Sequence, residues 1–154
     1  MKTYTYNDIE ALQEIVSKEW GDWSNEFTVT QDIINQFADM TNDHNWIHTD
    51  VERCKKESPF GGPIAHGFLT LVLMPQMIVP KTFEITGYTN AVNYGLNKVR
   101  NMGSVPAGAT IHQRMRVDSV EKTSKGTQVV MVGAIHIVGQ ERPSVIYEMV
   151  MLYM

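Results

Sequence analysis

The sequence predicts an α+β fold in which an antiparallel sheet wraps around one long buried helix. Residues 64–79 are apolar on nearly every side of a helix, and such a helix is normally buried all round. Four long runs follow residue 80 and are separated by turn signals, which is the pattern of an antiparallel sheet. A curved sheet packed on the helix is a simple way to bury both elements.

The length and composition of the chain favour one globular unit. The chain has 154 residues, and we expect residues 1–154 to form a single domain. Hydrophobic residues make up 43% of the chain and charged residues 19%, proportions that fit a packed fold and not a disordered chain. The formal net charge of -4 disfavours a nucleic-acid partner, because phosphate-binding proteins usually carry an excess of basic residues.

Segments for export or membrane insertion are not apparent. The first residues lack the apolar stretch of a secretion signal, and no run approaches the ~20 apolar residues of a membrane span. Cys54 is the only cysteine, so no intrachain disulfide can form, and its charged neighbours indicate a solvated turn. We therefore expect a cytoplasmic protein that contacts no membrane.

The first helix is predicted from its cap and its apolar spacing. Asn7 or Asp8 can cap a helix over residues 9–20, in which apolar residues recur at helical intervals. Gly21 follows and is expected to end this helix.

A short strand and a second helix come next. Residues 27–30 alternate like a strand, and Thr30 is a suitable N-cap for a helix over residues 31–40. That helix has one apolar face, formed by Ile33, Ile34, Phe37 and Met40. Residues 52–63 are rich in charge, glycine and proline and are predicted to form a loop.

The central helix and the four strands after it are expected to share one core. The helix residues expected in this core are Phe68, Leu69, Leu71, Val72, Leu73 and Ile78. The inward strand residues expected to meet them include Val92, Ile111, Met115, Val130 and Val150. The four strands are predicted over residues 88–99, 109–120, 127–138 and 144–154. Since a small sheet leaves its edge strands open, we expect a homodimer formed by extending the sheet.

A dense group of titratable side chains follows the second helix. Residues 41–50 read T-N-D-H-N-W-I-H-T-D, with two imidazoles, two carboxylates and two asparagine amides around a tryptophan. Three interpretations apply to such a segment: a metal site, an acid–base pair, or an ordinary helix end where Asp and Asn bind nearby backbone groups.

The metal interpretation is incomplete. His44 and His48 have the i, i+4 spacing of two zinc ligands on a helix. The catalytic zinc motif also needs a glutamate beside the first histidine, and the segment has neither that glutamate nor a clear third ligand. We therefore expect no metal.

Asp43 and His48 can instead act as a general acid–base pair. Asn45 lies between them, and a turn rich in Asp and Asn can curl so that both groups meet one water. Such a pair can add water across an activated double bond, each group contributing roughly 10²–10⁴-fold if well placed. The enolate charge then needs an N–H donor, and Gly67 near the start of the central helix offers an amide without a side chain.

Three separated stretches resemble the MaoC-like dehydratase family, which includes the (R)-specific enoyl-CoA hydratases. They are D-H-N-W-I-H-T-D at 43–50, S-P-F-G-G-P-I-A-H-G-F-L-T-L at 58–71, and N-Y-G-L-N-K-V-R at 93–100 with V-P-A-G-A-T-I at 105–111. The G-D-W at 21–23 and the W-I-H form of the first motif are similar to the nodulation-protein-N-like subgroup. The resemblance spans nearly the whole chain in order.

This resemblance implies a hot-dog fold and the reversible hydration of a trans-2-enoyl thioester to the (R)-3-hydroxyacyl thioester. It implies that Asp43 and His48 are the catalytic pair, that Asn45 supports them and that the Gly67 N–H binds the oxyanion. No metal or redox cofactor is implied. The implied partner is an acyl-CoA, with coenzyme A as part of the substrate.

Substrate contacts are expected at His66, Trp46, Phe60 and Arg100. His66 begins the central helix, where structural hydrogen bonds are the alternative role. Arg100 suits the phosphates of coenzyme A. Two residues depart from the family pattern: Trp46 replaces a frequent proline, and Asn101 stands where relatives often have an aromatic or apolar residue.

Two other functions remain open from the sequence. A hot-dog thioesterase would hydrolyse the thioester instead of hydrating the acyl chain, and fold similarity alone does not fix the reaction. A non-catalytic module that binds acyl thioesters is the second alternative. It predicts that Asp43 and His48 point into the protein body.

Overall fold

The computed structural model describes all 154 residues, as seven strands and five α-helices. In chain order these are β1 (Lys2–Thr5), α1 (Ile9–Leu12), β2 (Phe27–Thr28), α2 (Gln31–Thr41), α3 (Trp46–Thr49), α4 (Val51–Glu57), α5 (Gly67–Val72), β3 (Phe83–Thr86), β4 (Ala91–Asn101), β5 (Thr110–Thr123), β6 (Gly126–Ile137) and β7 (Val145–Tyr153). Single 3₁₀ turns follow α1 at Gln13–Ile15 and α5 at Met74–Gln76.

The main sheet has five antiparallel strands in the order β2-β5-β6-β7-β4. The four long strands predicted from the sequence are confirmed, each end within three residues of its predicted place. Register shifts bend β4 near Asn93 and Leu96 and β5 between Val117 and Ser119. Such bulges increase the local bend and twist of a strand, which helps the sheet to curve around the elements on its inner face.

The main core lies between the inner face of the sheet and the helices. Ile111 of β5, Ile135 of β6 and Tyr147 of β7 are completely buried there and pack with Leu69 of α5 and Ile34 of α2. The second predicted helix is confirmed as α2, and the Thr30 hydroxyl accepts the Ile33 N–H at its N-terminus. The α+β prediction of a sheet wrapped around a helix is therefore confirmed.

The central helix is much shorter than predicted. Only Gly67–Val72 form an α-helix, and the 3₁₀ turn at Met74–Gln76 contains Pro75. Before the helix the chain is extended, and the Ala65 N–H donates to the Val105 carbonyl at 2.8 Å. Hydrogen bonding to a neighbouring segment, which a local apolar pattern does not reveal, therefore replaces the first predicted turn.

The prediction that this segment is buried on every side is wrong for the single chain. Leu69 and Leu71 are buried, but Phe68 is 73% exposed, Val72 54% and Ile78 73%. The short helix contacts the sheet with one face only, so its other apolar face points outward.

The predicted strand partners of this helix are confirmed only in part. Ile111 is buried in the core around α5, and Met115 packs against the same core. Val130 and Val150 are buried outside that core, and Val92 is 39% exposed.

A second layer covers the other end of the inner sheet face. β1 and β3 pair in parallel, an arrangement that the sequence analysis missed. Tyr4, Leu12 and Ile85 pack there against Val117 and Val129. Because the paired strands are about 80 residues apart in sequence, no local pattern signals their contact.

The first helix ends far before the predicted boundary, and the chain continues as an extended segment along β5. We call residues 16–26 the strap. It donates backbone N–H groups from Ser17, Gly21 and Ser24 to carbonyls of β5 at 3.0, 2.9 and 2.8 Å. The Trp23 ring of the strap stacks on His112 of β5 with 3.8 Å between ring centroids. The strap and β2 thus cover the outer edge of β5, which leaves β4 as the uncovered edge of the main sheet.

The region predicted to be a loop at 52–63 begins with α4 instead. The Asp50 carboxylate caps this helix by accepting the Arg53 N–H at 3.0 Å. Cys54 is buried inside α4 and donates its thiol toward the Trp46 carbonyl at 3.2 Å, so it does not lie in a solvated turn. No helix of the protein combines the length and the apolar character needed to cross a membrane.

Candidate active site

The segment that carries the expected catalytic residues begins at the turn between α2 and α3. Helix α2 ends at Asn42, which takes a left-handed conformation with φ of 58° and redirects the chain. Asp43 follows, and Asn45 caps α3 by accepting the Ile47 N–H at 3.3 Å. The Asn45 backbone N–H also points at the Asp43 carboxylate at 3.4 Å. Asn45 therefore holds the turn that carries Asp43.

His48 lies in α3 and is 8% exposed. Its Nδ1 is 2.7 Å from the Ile64 carbonyl oxygen, which can only accept, so Nδ1 carries the proton of the neutral ring. The other nitrogen, Nε2, then holds a free electron pair. Gln31 of α2 donates its side-chain amide to the His48 carbonyl at 2.7 Å and fixes the backbone of the same residue.

His66 lies directly behind His48. The two rings stack with 3.8 Å between centroids and 26° between planes. Phe37 of α2 packs against the His66 ring, with 4.8 Å between ring centroids. The Nε2–H of His66 donates to the Asp43 backbone carbonyl at 3.0 Å. His66 is 3% exposed and thus touches both members of the predicted pair from inside the protein.

The electrostatics favour a neutral His48 that can accept a proton. Burial is the largest effect and lowers the pKa of the His48 imidazole below its usual range. The bond to the Ile64 carbonyl opposes this shift, the neighbouring His66 adds to it, and the Asp43 carboxylate opposes it. The lowered pKa leaves the ring in its basic form at neutral pH.

A cavity of about 300 Å³ opens beside His48. Phe60, Gly67 and Asn101 also line it. The Gly67 N–H belongs to the first turn of α5, where amides have no partner within the helix. A Cβ atom on Gly67 would lie 2.5 Å from the Asn101 Nδ2, so the wall of the cavity fits closely around the glycine.

A larger cavity of about 590 Å³ lies between the strap, β3 and β5. Its floor is apolar, with Met115 and Met131, and its rim carries charges of both signs. None of the predicted catalytic residues lines it. The smaller cavity, which contains His48 and Gly67, is therefore the candidate active site.

The site contains three groups that are able to bind metals. Asp43, His48 and His66 each place one ligand atom within 4.8 Å of the others. An imidazole nitrogen binds a metal that lies in the plane of its ring. The rings of His48 and His66 are stacked with 26° between their planes, so the two planes meet well beyond bonding distance. Sharing one metal would require one ring to turn and break its bond to Ile64 or Asp43. As they stand, these residues fit an acid–base site better than a metal centre.

The structure brings together most of the predicted site. His48, Gly67 and Phe60 line one cavity. Asp43 lies close to His48 and Asn45 contacts Asp43, but neither lines the cavity. The other three expected substrate contacts do not line the cavity. His66 lies behind His48, and Arg100 is exposed on β4. The Trp46 ring packs under the Arg53 guanidinium, 4.1 Å from the ring centroid.

The other polar residues of the motif have local roles. His44 pairs with Asp39 at the surface, 2.8 Å apart, and Asp50 caps α4. Sequence reasoning did not identify Gln31 or the Ile64 carbonyl as groups that hold His48. Neither carries a sequence signal, because both act through contacts with distant backbone.

A curved antiparallel sheet around a central helix defines a hot-dog protein, and here a carboxylate and two imidazoles lie close together beside the amino end of that helix. Residues 17–140 match the family described as the MaoC like domain. The chain belongs to this family.

Two curated relatives resemble the chain over most of its length. One is the 3-hydroxyacyl-thioester dehydratase Z of Mycobacterium tuberculosis (strain ATCC 25618 / H37Rv), 36% identical over 152 residues that cover 97% of each protein. The other is Nodulation protein N of Rhizobium meliloti (strain 1021), 40% identical over 116 residues, or 74% of this chain and 68% of that protein. Both are consistent with the resemblance noted in the sequence.

A solved structure shows the same fold. The (R)-hydratase from A. caviae involved in PHA biosynthesis aligns with a TM-score of 0.68 and 19% identity, over 88% of this chain and 97% of that one.

Proposed function

We propose that this protein is a hydro-lyase that interconverts a trans-2-enoyl thioester and the (R)-3-hydroxyacyl thioester. The observation that carries the proposal is that His48, whose Nδ1 is bound to the Ile64 carbonyl so that Nε2 is free, lines a cavity and lies close to the Asp43 carboxylate. The 3-hydroxyacyl-thioester dehydratase Z, similar over nearly the whole chain, supports the same reaction class. The (R)-hydratase shares the fold.

In the hydration direction, Asp43 and His48 hold one water between them. The water oxygen forms a bond to Cβ while the pair accepts a proton from the water and the C=C π bond breaks. The pair then returns a proton to Cα on the same face, so that the pair ends in its starting protonation state. Dehydration is the reverse of these steps.

The negative charge that develops on the thioester oxygen needs a fixed donor. We assign this role to the Gly67 N–H, which is at the first position of α5 and lines the cavity with His48. Proton transfer and hydrogen bonding suffice for this chemistry, so the proposal includes no metal or redox cofactor.

The proposed substrate is an acyl-CoA thioester. Phe60 and the apolar side chains around it provide the wall for the acyl group. Trp46 with Arg53 above it, and Arg100 on β4, remain proposed contacts for the carrier. We also propose that the protein works in the cytoplasm, where its single buried thiol, Cys54, stays reduced.

We further propose that the protein is a homodimer joined at β4. Ten of the eleven residues of this strand are exposed, including Tyr94 and Leu96. The exposed apolar face of α5 at Phe68 and Val72 adds to this surface. A long uncovered strand with apolar side chains favours pairing with a second sheet.

Light scattering after size exclusion tests the dimer. The native chain is expected to elute with twice the mass of one chain, and Leu96→Lys to elute largely as a monomer. Val138→Lys introduces the same charge at an exposed valine outside β4 and should leave the dimer intact. A monomeric native chain would refute this part of the proposal.

The reaction is tested by the loss of enoyl absorbance when the purified protein meets trans-2-enoyl-CoA substrates of several chain lengths. We expect turnover by the native chain, a loss of roughly 10²-fold or more in Asp43→Asn and in His48→Ala, and the (R)-alcohol as product. His44→Ala is the matched control, because His44 belongs to the same motif but pairs with Asp39 at the surface. It should retain full activity.

The thioesterase alternative gives a different readout in the same assay. It predicts that free thiol appears while no 3-hydroxyacyl product forms. The non-catalytic alternative would be supported if Asp43 and His48 pointed into the protein body. Asp43 is exposed and His48 lines the cavity, which favours the catalytic proposal.

A further inference from the structure

His66 contacts both proposed catalytic residues without lining the cavity. It holds the Asp43 backbone carbonyl through a hydrogen bond of 3.0 Å and stacks on the His48 ring at 3.8 Å. It is 3% exposed, so a substrate in the cavity meets His48 and not His66. The residue is therefore placed to act through its neighbours.

The hydrogen bonds define which nitrogen of His66 carries the proton. A carbonyl oxygen only accepts, so the ring must donate to Asp43 through Nε2–H. The other nitrogen, Nδ1, is buried and has no hydrogen-bond partner. The ring is therefore held by its single hydrogen bond through Nε2 and by its stacking on His48.

We propose that His66 is the positioning residue of the acid–base pair. Its Nε2–H bond anchors the turn that carries Asp43, and its ring face sets the plane in which His48 presents Nε2 to the cavity. This inference rests on the proposed hydratase function and adds a residue that neither contacts substrate nor binds a metal.

The stack also affects how readily His48 accepts a proton. The titratable groups that face His48 are Asp43 on the preceding turn and His66 on the segment before α5. α2 presents the uncharged Gln31, and Cys54 of α4 is directed at backbone carbonyls instead. Burial is the main cause of the lowered pKa of His48, and His66 contributes in the same direction. This contribution is the coulombic effect of the His66 imidazole, so replacing His66 by an uncharged side chain should raise the pKa of His48 toward its ordinary value.

Two variants separate the two contacts of His66. His66→Gln keeps an amide that can donate to the Asp43 carbonyl but removes the stacked ring. His66→Phe keeps an aromatic ring against His48 and Phe37 but removes the hydrogen bond. The control is His44→Gln, which replaces the exposed histidine of the same motif.

Steady-state kinetics from pH 5 to 8 give the first readout. Both variants are expected to lose on the order of 10- to 100-fold in kcat with KM changed less than about threefold, because misplacement of the pair affects the reaction more than binding. In His66→Gln the acid limb of kcat/KM should also move to higher pH. Unchanged kcat and pH profile in both variants, or a raised KM with unchanged kcat, would overturn the proposal.

An NMR titration of the His48 ring gives a readout independent of turnover. The pKa of His48 should rise in both His66→Gln and His66→Phe, because each removes the imidazole whose charge lowers it, and stay unchanged in His44→Gln. If the native chain has no hydratase activity, this titration still tests the coupling, so failure of the proposed function is distinguishable from failure of this inference. A pKa of His48 that is the same in both His66 variants and the native chain would refute it.

Discussion

Replacing Gly67 by alanine tests whether the open amide of α5 is needed for catalysis. The new Cβ would lie 2.5 Å from Asn101 Nδ2 and 2.8 Å from its Cγ, whereas ordinary contacts need about 3.4 Å or more. The two residues must therefore separate by about 1 Å, either by moving the Gly67 N–H or by pushing the Asn101 amide into the cavity. A misplacement of this size costs roughly 10²-fold in rate, and loss of one oxyanion donor about 10²–10³-fold.

The assay for this prediction is the hydration rate of a short trans-2-enoyl-CoA, combined with thermal unfolding. We expect kcat to fall about 10²-fold while stability changes by less than about 1 kcal/mol, because Asn101 is exposed and can move. Gly62→Ala is the matched control, since nothing lies within 4 Å of the Cβ it would add. Adding Asn101→Ala to Gly67→Ala should restore most of the rate. Full activity of Gly67→Ala alone would refute the reasoning.

Three further predictions concern stability and reactivity. Burial lowers the pKa of His112 and His136, so the unfolded chain binds protons more readily than the folded chain. The free energy of unfolding should therefore be highest above about pH 6.5 and fall as the pH drops below it. In a variant with both histidines changed to Gln, the melting temperature should fall less between about pH 7.5 and 5 than in the native chain. Tyr147→Phe should cost about 1–3 kcal/mol in urea unfolding, because it leaves the buried Gln113 Oε1 without its 2.7 Å donor. Burial raises the pKa of the Cys54 thiol, so a thiol reagent should modify it at least roughly tenfold more slowly in the native protein than in denaturant.

The long strands were predictable because their pattern is local. Each of β4 to β7 has alternating or apolar residues between turn signals, and these fix the strand wherever the chain folds. The parallel pair of β1 and β3 was missed, since each strand has only four residues and its partner is distant in sequence. The early end of the first helix has a similar cause. Trp20 fits the helical spacing of apolar residues, but it lies in the extended strap, where its ring packs near the Arg114 guanidinium.

The candidate site shows the same division. The motif around Asp43, Asn45 and His48 was recognised from sequence because its residues lie close together in the chain. The contacts that determine the state of His48 come from distant segments: the Ile64 carbonyl fixes its tautomer, and His66 stacks on its ring. A sequence pattern identifies the chemical groups, whereas their protonation and orientation depend on the folded chain.

The strap has a consequence for how copies of this protein can grow into larger assemblies. Its hydrogen bonds to Val117, Met115 and Gln113 occupy the backbone groups at one side of the sheet, so no other chain can add a strand there. If both sides were open, each molecule could recruit another at either end, and the addition would continue into fibres. With β4 as the open side of the main sheet, the proposed pairing there uses that side, and no side of this sheet then remains for a third copy. The irregular segment before β2 therefore blocks strand addition at the β5 side of the main sheet.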